Sequence, residues 1–213
     1  MKYKYICVEG NIAAGKTTLA SRLAQKLNVP FIPEAYEENT FLPKFYREPE
    51  KYAFQVEMSF LLDRYAQLNR HFSRNSKDNP VIADYTIYKS LIFAENSLKP
   101  DEFRLFSGFF EILAKDIPDP GLLVYLNTGV TTLKKNIIRR GRDYEQKIPG
   151  TYLLALEEKY HTCLQTSRNL RILMIHTPND TFFPPEQDDS LIEYFKKDLP
   201  PGITGIDIEM ERA

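Results

Sequence analysis

The segment Gly10-Asn11-Ile12-Ala13-Ala14-Gly15-Lys16-Thr17, followed by Thr18, fits the pattern G-x-x-x-x-G-K-[ST]. The chemistry of that spacing is phosphate binding. The glycines let the backbone curl so that successive N–H groups point at phosphate oxygens, and a helix starting there adds partial positive charge. Lys16 can reach the β- and γ-phosphates, and the Thr17 hydroxyl can ligate Mg²⁺. The pattern specifies a nucleoside triphosphate and nothing finer. A guanine-reading N-K-x-D element does not accompany it, because Asn75-Ser76-Lys77-Asp78 has the wrong order.

Three acids, Glu9, Glu34 and Asp84, each follow an apolar or extended run. In a parallel sheet, ligands collect beyond the carboxyl ends of the strands. Glu34 can accept a proton from a hydroxyl that attacks the γ-phosphorus. Asp84 closes the run Val81-Ile82-Ala83 and can hold Mg²⁺ directly or through water. The stretch Arg139-Arg140-Gly141-Arg142-Asp143-Tyr144-Glu145 puts three arginines in four positions around a glycine. It suits a lid, over about residues 139–149, that closes on transferring phosphates.

The elements that must position these groups alternate along the chain. Strands are expected at 3–8, 31–33, 81–84, 122–126 and 171–176. Helices are expected at 16–27, 49–72, 85–96, 101–116, 131–140, 151–166 and 190–197, with a polar turn at 74–80. That alternation predicts an α/β fold, a five-stranded parallel sheet flanked by helices in the manner of P-loop NTPases. At 100° per residue, Ala53, Phe54, Val56, Phe60, Leu61, Leu68 and Phe72 share one face of the long helix. Glu57 and Arg64 fall inside that face. Buried charges are costly unless paired or functional, so either they pair across two turns or Glu57 meets a polar ligand.

The length, 213 residues, fits one domain over 1–199 with a tail at 200–213. A formal net charge of −1 excludes a dedicated nucleic-acid binder, and no run is long and apolar enough for a membrane span. Two cysteines, Cys7 and Cys163, cannot build a disulfide framework, so a cytoplasmic location is expected. His71, His161 and His176 lack ligand spacing, which argues against a metal hydrolase. The 13 Tyr and 14 Phe suit a pocket that grips a flat ring.

In order along the chain, these motifs resemble the deoxynucleoside kinase family, with bacterial purine deoxynucleoside kinases the nearest in pattern. The resemblance runs from about residue 4 to 176. It rests on Glu9-Gly10-Asn11-Ile12-Ala13-Ala14-Gly15-Lys16-Thr17-Thr18, Glu34 and Asn39-Thr40-Phe41-Leu42-Pro43-Lys44-Phe45-Tyr46. It continues through Pro49-Glu50-Lys51-Tyr52-Ala53-Phe54, Asp84-Tyr85-Thr86-Ile87-Tyr88, Ile92-Phe93-Ala94 and Arg140-Gly141-Arg142-Asp143-Tyr144-Glu145. The resemblance implies transfer of the γ-phosphoryl of ATP to a deoxynucleoside 5′-hydroxyl, with Mg²⁺, in a homodimer. By that likeness Glu34 is the base, Asp84 the acid that is either metal-linked or the proton acceptor, and Tyr46 and Glu145 the holders of the sugar 3′-hydroxyl. Arg140 and Arg142 match lid arginines.

Two positions depart from the family pattern. Glu57 stands where the family has a base-reading glutamine, and Tyr85 where it has an arginine near the 5′ end of the substrate. Ionised Glu offers acceptors only and suits an edge with two donors, such as guanine or a pterin, whereas a protonated Glu57 still reads adenine. Deoxyadenosine and deoxyguanosine therefore both stand as substrates. A thymidylate-type monophosphate kinase and a nucleotide- or pterin-binding protein with little turnover are the alternatives.

Overall fold

Tyr5–Gly10 forms β1, and all six of its residues are buried. Burial on both faces is the mark of a parallel strand covered by helices. In a computed structural model of the chain, the described residues are 1–37, 39–74, 79–176 and 183–207. Asn75–Asp78, and with them most of the expected polar turn, lie outside that set, as do residues 208–213.

The remaining strands are β2 (Phe31–Ile32), β3 (Val81–Ala83), β4 (Leu122–Asn127), β5 (Arg171–His176) and β6 (Gly202–Asp207). Their spatial order is β2-β3-β1-β4-β5-β6, and every pairing is parallel. The sheet therefore has six strands rather than five. The extra one comes from the expected tail: Ile203-Thr204-Gly205-Ile206 pairs with Ile172–Ile175, and Gly202 N donates to Leu170 O at 2.8 Å. Two β-branched isoleucines on an otherwise open sheet edge outweigh the loop signal of Pro200-Pro201.

The helices are α1 (Lys16–Leu27), α2 (Leu42–Arg47), α3 (Pro49–Arg74), α4 (Tyr88–Ser97), α5 (Pro100–Ala114), α6 (Val130–Arg140), α7 (Gly150–Thr166) and α8 (Asp188–Tyr194). The short α2 is additional to the expected set. Leu42 and Phe45 on α2 pack with Ala53 and Val56 of α3 as a small apolar cluster. The main core joins α1, α6 and α7 to β1, β4 and β5, with Ile6, Val8, Leu19, Leu23, Val124 and Leu156 within it. A second core sets Tyr5 and Cys7, on the alternate face of β1, against Leu61 and Leu68 of α3 and Phe106 and Phe110 of α5. At 26 residues α3 is about 39 Å long, enough to reach from the second core to the carboxyl ends of the strands.

Gly10 is where β1 turns into the phosphate loop. Its φ is +153°, and a Cβ there would lie 2.9 Å from the Leu126 carbonyl oxygen on the neighbouring strand. Gly10→Ala is expected to cost about 1–3 kcal/mol, measured as a lower urea midpoint at unchanged slope.

Candidate active site

The loop after β1 runs into α1 at Lys16, with Gly15 in the left-handed region at φ +93°. Two side chains anchor the loop. Asn11 Nδ2 donates to Leu153 O of α7 at 2.9 Å, and Asn136 Nδ2 of α6 donates to Ala13 O at 3.0 Å. Asn11 is thus a brace: its amide is tied to α7, and its Oδ1 accepts from Ile12 N at 2.8 Å within the loop. Lys16 Nζ donates to Asn11 O at 2.8 Å, and burial lowers its pKa to about 8, with Lys89 adding to the effect.

Beyond the strand ends lies a cavity of about 390 Å³. Its phosphate end is lined by Ile12, Ala13, Gly15, Lys16, Thr17 and Thr18. The wall toward α2 and α3 brings Phe45, Val56, Glu57, Phe60 and Arg64, α4 brings Lys89 and Phe93, and the end of α6 with the segment after it brings Arg140, Arg142 and Glu145. Glu34 and Tyr46 line the cavity too, whereas Gly10, Asn11, Ala14, Asp84 and Tyr85, also picked out from the sequence, do not.

Glu34 is clamped between two buried cations. Arg64 donates to Glu34 Oε1 through Nε at 2.9 Å and Nη2 at 2.7 Å, and Lys89 Nζ donates to Glu34 Oε2 at 2.6 Å. Arg64 Nη1 also donates to Ser90 Oγ at 2.8 Å. Burial works against the charge of Glu34, but Lys89 and Arg64 together hold the carboxyl well below the usual range. The expectation of charges inside the apolar face of α3 is met, since Glu57 and Arg64 are each only 2% exposed. The pairing differs: the hydrogen bonds of Arg64 go to Glu34 and Ser90 rather than to Glu57. Glu57 Oε2 is buried without a hydrogen-bond partner among the described residues. Burial raises the Glu57 pKa to about 7, against the pull of Arg64.

Asp84 sits under the loop. It accepts a short hydrogen bond from the Thr17 hydroxyl, and its Oδ1 accepts from Glu34 N at 2.8 Å. Burial raises its pKa, so a cation beside it would be welcome. One hydroxyl and one carboxylate next to a phosphate site fit Mg²⁺, which keeps several waters and takes the rest of its shell from substrate oxygens. Among the described residues there is no cluster of three or more His, Cys, Asp or Glu, and this mode needs none.

The arginines expected in the lid are held by an acid of the same segment. Arg140 Nη2 and Arg142 Nη1 both donate to Glu145, the second at 3.2 Å, and the Arg142 guanidinium lies 3.8 Å over the Tyr36 ring. Tyr46 stacks on Tyr144 with ring centroids 5.9 Å apart.

Three expectations change. Tyr85, counted with the substrate-binding residues, is fully buried in the second core, and its hydroxyl donates to Gln67 Oε1 at 2.8 Å. Successive side chains in an extended run alternate faces, so Asp84 meets the loop and Tyr85 turns away. Glu9 is a structural acid that accepts from Thr86 N at 2.7 Å, Thr86 Oγ1 at 3.0 Å and Tyr160 OH at 3.1 Å. Lys89 is a site residue that the motif reading missed. Its signal was a lone cation on the apolar side of a helix, one turn before Ile92 and Phe93, the same signal that marked Arg64.

A family profile described as deoxynucleoside kinase matches residues 6–199. The chain belongs to the deoxynucleoside kinase family. It is 42% identical over 164 residues to a deoxyguanosine kinase of Bacillus subtilis (strain 168), covering 76% of this chain and 78% of that one. It is 31% identical over 195 residues to a deoxyadenosine kinase of Dictyostelium discoideum, covering 89% and 78%. The fold matches a structure of deoxyadenosine kinase from M. mycoides with bound dATP at TM-score 0.77 and 20% identity, over 91% of this chain and all of that one. As a deoxynucleoside kinase the chain is a phosphotransferase. The cavity now has two ends to assign: phosphate loop and lid at one, aromatic wall with Glu57 at the other.

Proposed function

We propose that this kinase transfers the γ-phosphoryl group of Mg·ATP to the 5′-hydroxyl of deoxyguanosine. The observation that carries the choice of base is Glu57, a buried carboxylate with an unused acceptor on the aromatic wall. Guanine presents N1–H and a 2-amino group side by side, and a carboxylate accepts both. The adenine edge has one donor and one acceptor, and an ionised Glu57 meets that acceptor with repulsion. The 42% identical deoxyguanosine kinase supports the same base.

In this reading Phe60, Phe93 and Tyr152 hold the purine, and Tyr46 and Glu145 meet the sugar 3′-hydroxyl. Glu34 takes the 5′-hydroxyl proton. The loop from Gly10 to Thr18 cradles ATP, Lys16 carries phosphate charge, and Arg140 and Arg142 close over the group in transfer. Thr17 and Asp84 would hold Mg²⁺, which neutralises phosphate charge when bound. A monophosphate acceptor is disfavoured, because its phosphate would face the Glu34 carboxylate, which already occupies the nearby cations.

The stripe Leu105, Phe109 and Ile112 on α5, each 45–65% exposed, is the face we assign to a homodimer. We assign the protein to the cytoplasm. Its two cysteines are free, and among the described residues no helix is long and apolar enough to cross a membrane.

The test is incubation with Mg·ATP and each deoxynucleoside separately, with dTMP and a pterin alcohol alongside, and detection of products by mass. Deoxyguanosine monophosphate is expected as the main product. EDTA is expected to abolish it, and Asp84→Asn to lower kcat by ~100-fold or more. Equal turnover in EDTA, or product from dTMP alone, would sink the reading.

A further inference from the structure

We propose that Lys89 is a catalytic residue: its ammonium group bonds the transferring phosphoryl group while Glu34 takes the proton of the attacking hydroxyl. The proposal rests on the kinase reading above, with Glu34 as proton acceptor.

The position of Lys89 is costly for a structural residue. Its side chain is 5% exposed, and it stands second in α4, where the helix dipole disfavours a cation. Phe93 is close beside it, with the ring centroid 5.5 Å from Nζ, so an apolar side chain would pack there without penalty. What the charge touches is Glu34, at 2.6 Å.

That contact creates a conflict which catalysis must resolve. Both carboxylate oxygens of Glu34 are occupied by cations, so neither is open to the proton of an attacking hydroxyl. One cation has to move away before Glu34 can take a proton from an alcohol. Arg64 is fixed by two bonds to Glu34, a third to Ser90 and the Phe60 ring 4.8 Å from its guanidinium carbon. Lys89 is held to Glu34 through one bond, on a flexible stem, and it lines the cavity. Of the two, Lys89 is free to turn.

The surroundings say where it turns. Lys89 and Lys16 line the same cavity, so the two ammonium groups face one region. That region adjoins the start of α1, the natural seat of a phosphoryl group. Tyr85 is turned into the second core, and four residues later the first turn of α4 places the Lys89 cation at the cavity.

The 5′ O–H bond breaks and its proton passes to Glu34. The oxygen pair forms the new O–P bond, the bond from the γ-phosphorus to the bridging oxygen breaks, and its pair leaves on ADP. The ammonium of Lys89 exchanges one acceptor, Glu34, for another, a phosphoryl oxygen, and transfers no proton.

The experiment measures kcat and KM for wild type, Lys89→Met, Lys89→Arg and Lys89→Ala with Mg·ATP and deoxyguanosine. Lys89→Met is expected to lose ~100-fold or more in kcat while both KM values move by less than about threefold. Lys89→Arg is expected to keep part of the rate, and added ethylammonium to restore Lys89→Ala saturably. Wild-type turnover with Lys89→Met within about threefold of it in kcat would overturn this proposal and leave the kinase reading standing. So would a loss that neither arginine nor ethylammonium relieves, which is the signature of a packing role. If Lys89→Met does not fold, amine rescue of Lys89→Ala decides. No product from wild type with any nucleoside would overturn both.

Discussion

Glu34→Gln is expected to lower kcat by ~1,000-fold while ATP still binds, because an amide cannot accept the 5′-hydroxyl proton. The phosphate loop owes nothing to this carboxylate, so the loss should appear in chemistry and not in the KM for ATP. The same substitution also removes the anion between Arg64 and Lys89, whose side chains are 3% and 5% exposed. Leaving buried cations unpaired is expected to destabilise the fold by ~3–5 kcal/mol. The pH dependence separates that contribution from others. Glu34 has a folded pKa far below its ordinary 4.5, so its stabilisation is fully present above about pH 4.5 and fades as the pH falls toward the folded value. Urea unfolding from pH 7 down to pH 3 should therefore show a falling wild-type stability that Glu34→Gln largely lacks. If the folded variant turned over at the wild-type rate, Glu34 would be a structural ion-pair residue and the proton acceptor would lie elsewhere.

Glu57→Gln is expected to reverse the base preference and to stabilise the protein at the same time. An amide has one donor and one acceptor, which matches adenine. Guanine then loses one partner and meets a donor facing its own N1–H. A site that leaves a buried polar pair unmatched discriminates strongly, so kcat/KM for deoxyguanosine should fall ~100-fold or more, with deoxyadenosine rising. In the wild type, the Glu57 pKa of about 7 makes this choice depend on pH. The ratio of deoxyguanosine to deoxyadenosine kcat/KM should climb between pH 6 and pH 8 and stay flat in the variant. The contribution of Glu57 to stability has the opposite sign to that of Glu34. A carboxyl whose folded pKa is raised costs stability as the pH rises from about 4.5 to 7, with the full cost present above 7. At about 1.4 kcal/mol per pKa unit the penalty is on the order of 3 kcal/mol. Thermal unfolding of Glu57→Gln should exceed wild type at pH 8 and match it near pH 4.5. An unchanged base preference in the variant would remove Glu57 from base recognition.

Much of the site was legible because local sequence carries it. A phosphate loop is a contiguous strand–turn–helix whose glycines and lysine declare themselves, and the lid arginines lie within four residues of each other. Glu57 and Arg64 were visible as charges at helical spacing inside an apolar stripe, because burial of a charge contradicts the pattern around it. Lys89 gave the same signal more faintly, in a shorter helix with fewer apolar neighbours to contradict. The sixth strand was hidden because an edge strand is stabilised by its neighbour, β5, more than by its own composition. Tyr85 was misplaced because the family pattern marks a position and does not say which way its side chain turns.

The sequence by itself determined the phosphate-loop pattern, which acids lie at strand ends, and that a carboxylate falls inside the apolar face of the long helix. The tertiary structure decided the partnerships. It took Arg64 from Glu57, its helical neighbour, and gave it to Glu34, 30 positions away, and it brought Lys89 to the other oxygen of the same carboxylate. Helical spacing limits which side chains on one element can meet, whereas contacts between elements follow from how the sheet and its covering helices pack, and that packing is a property of the whole chain.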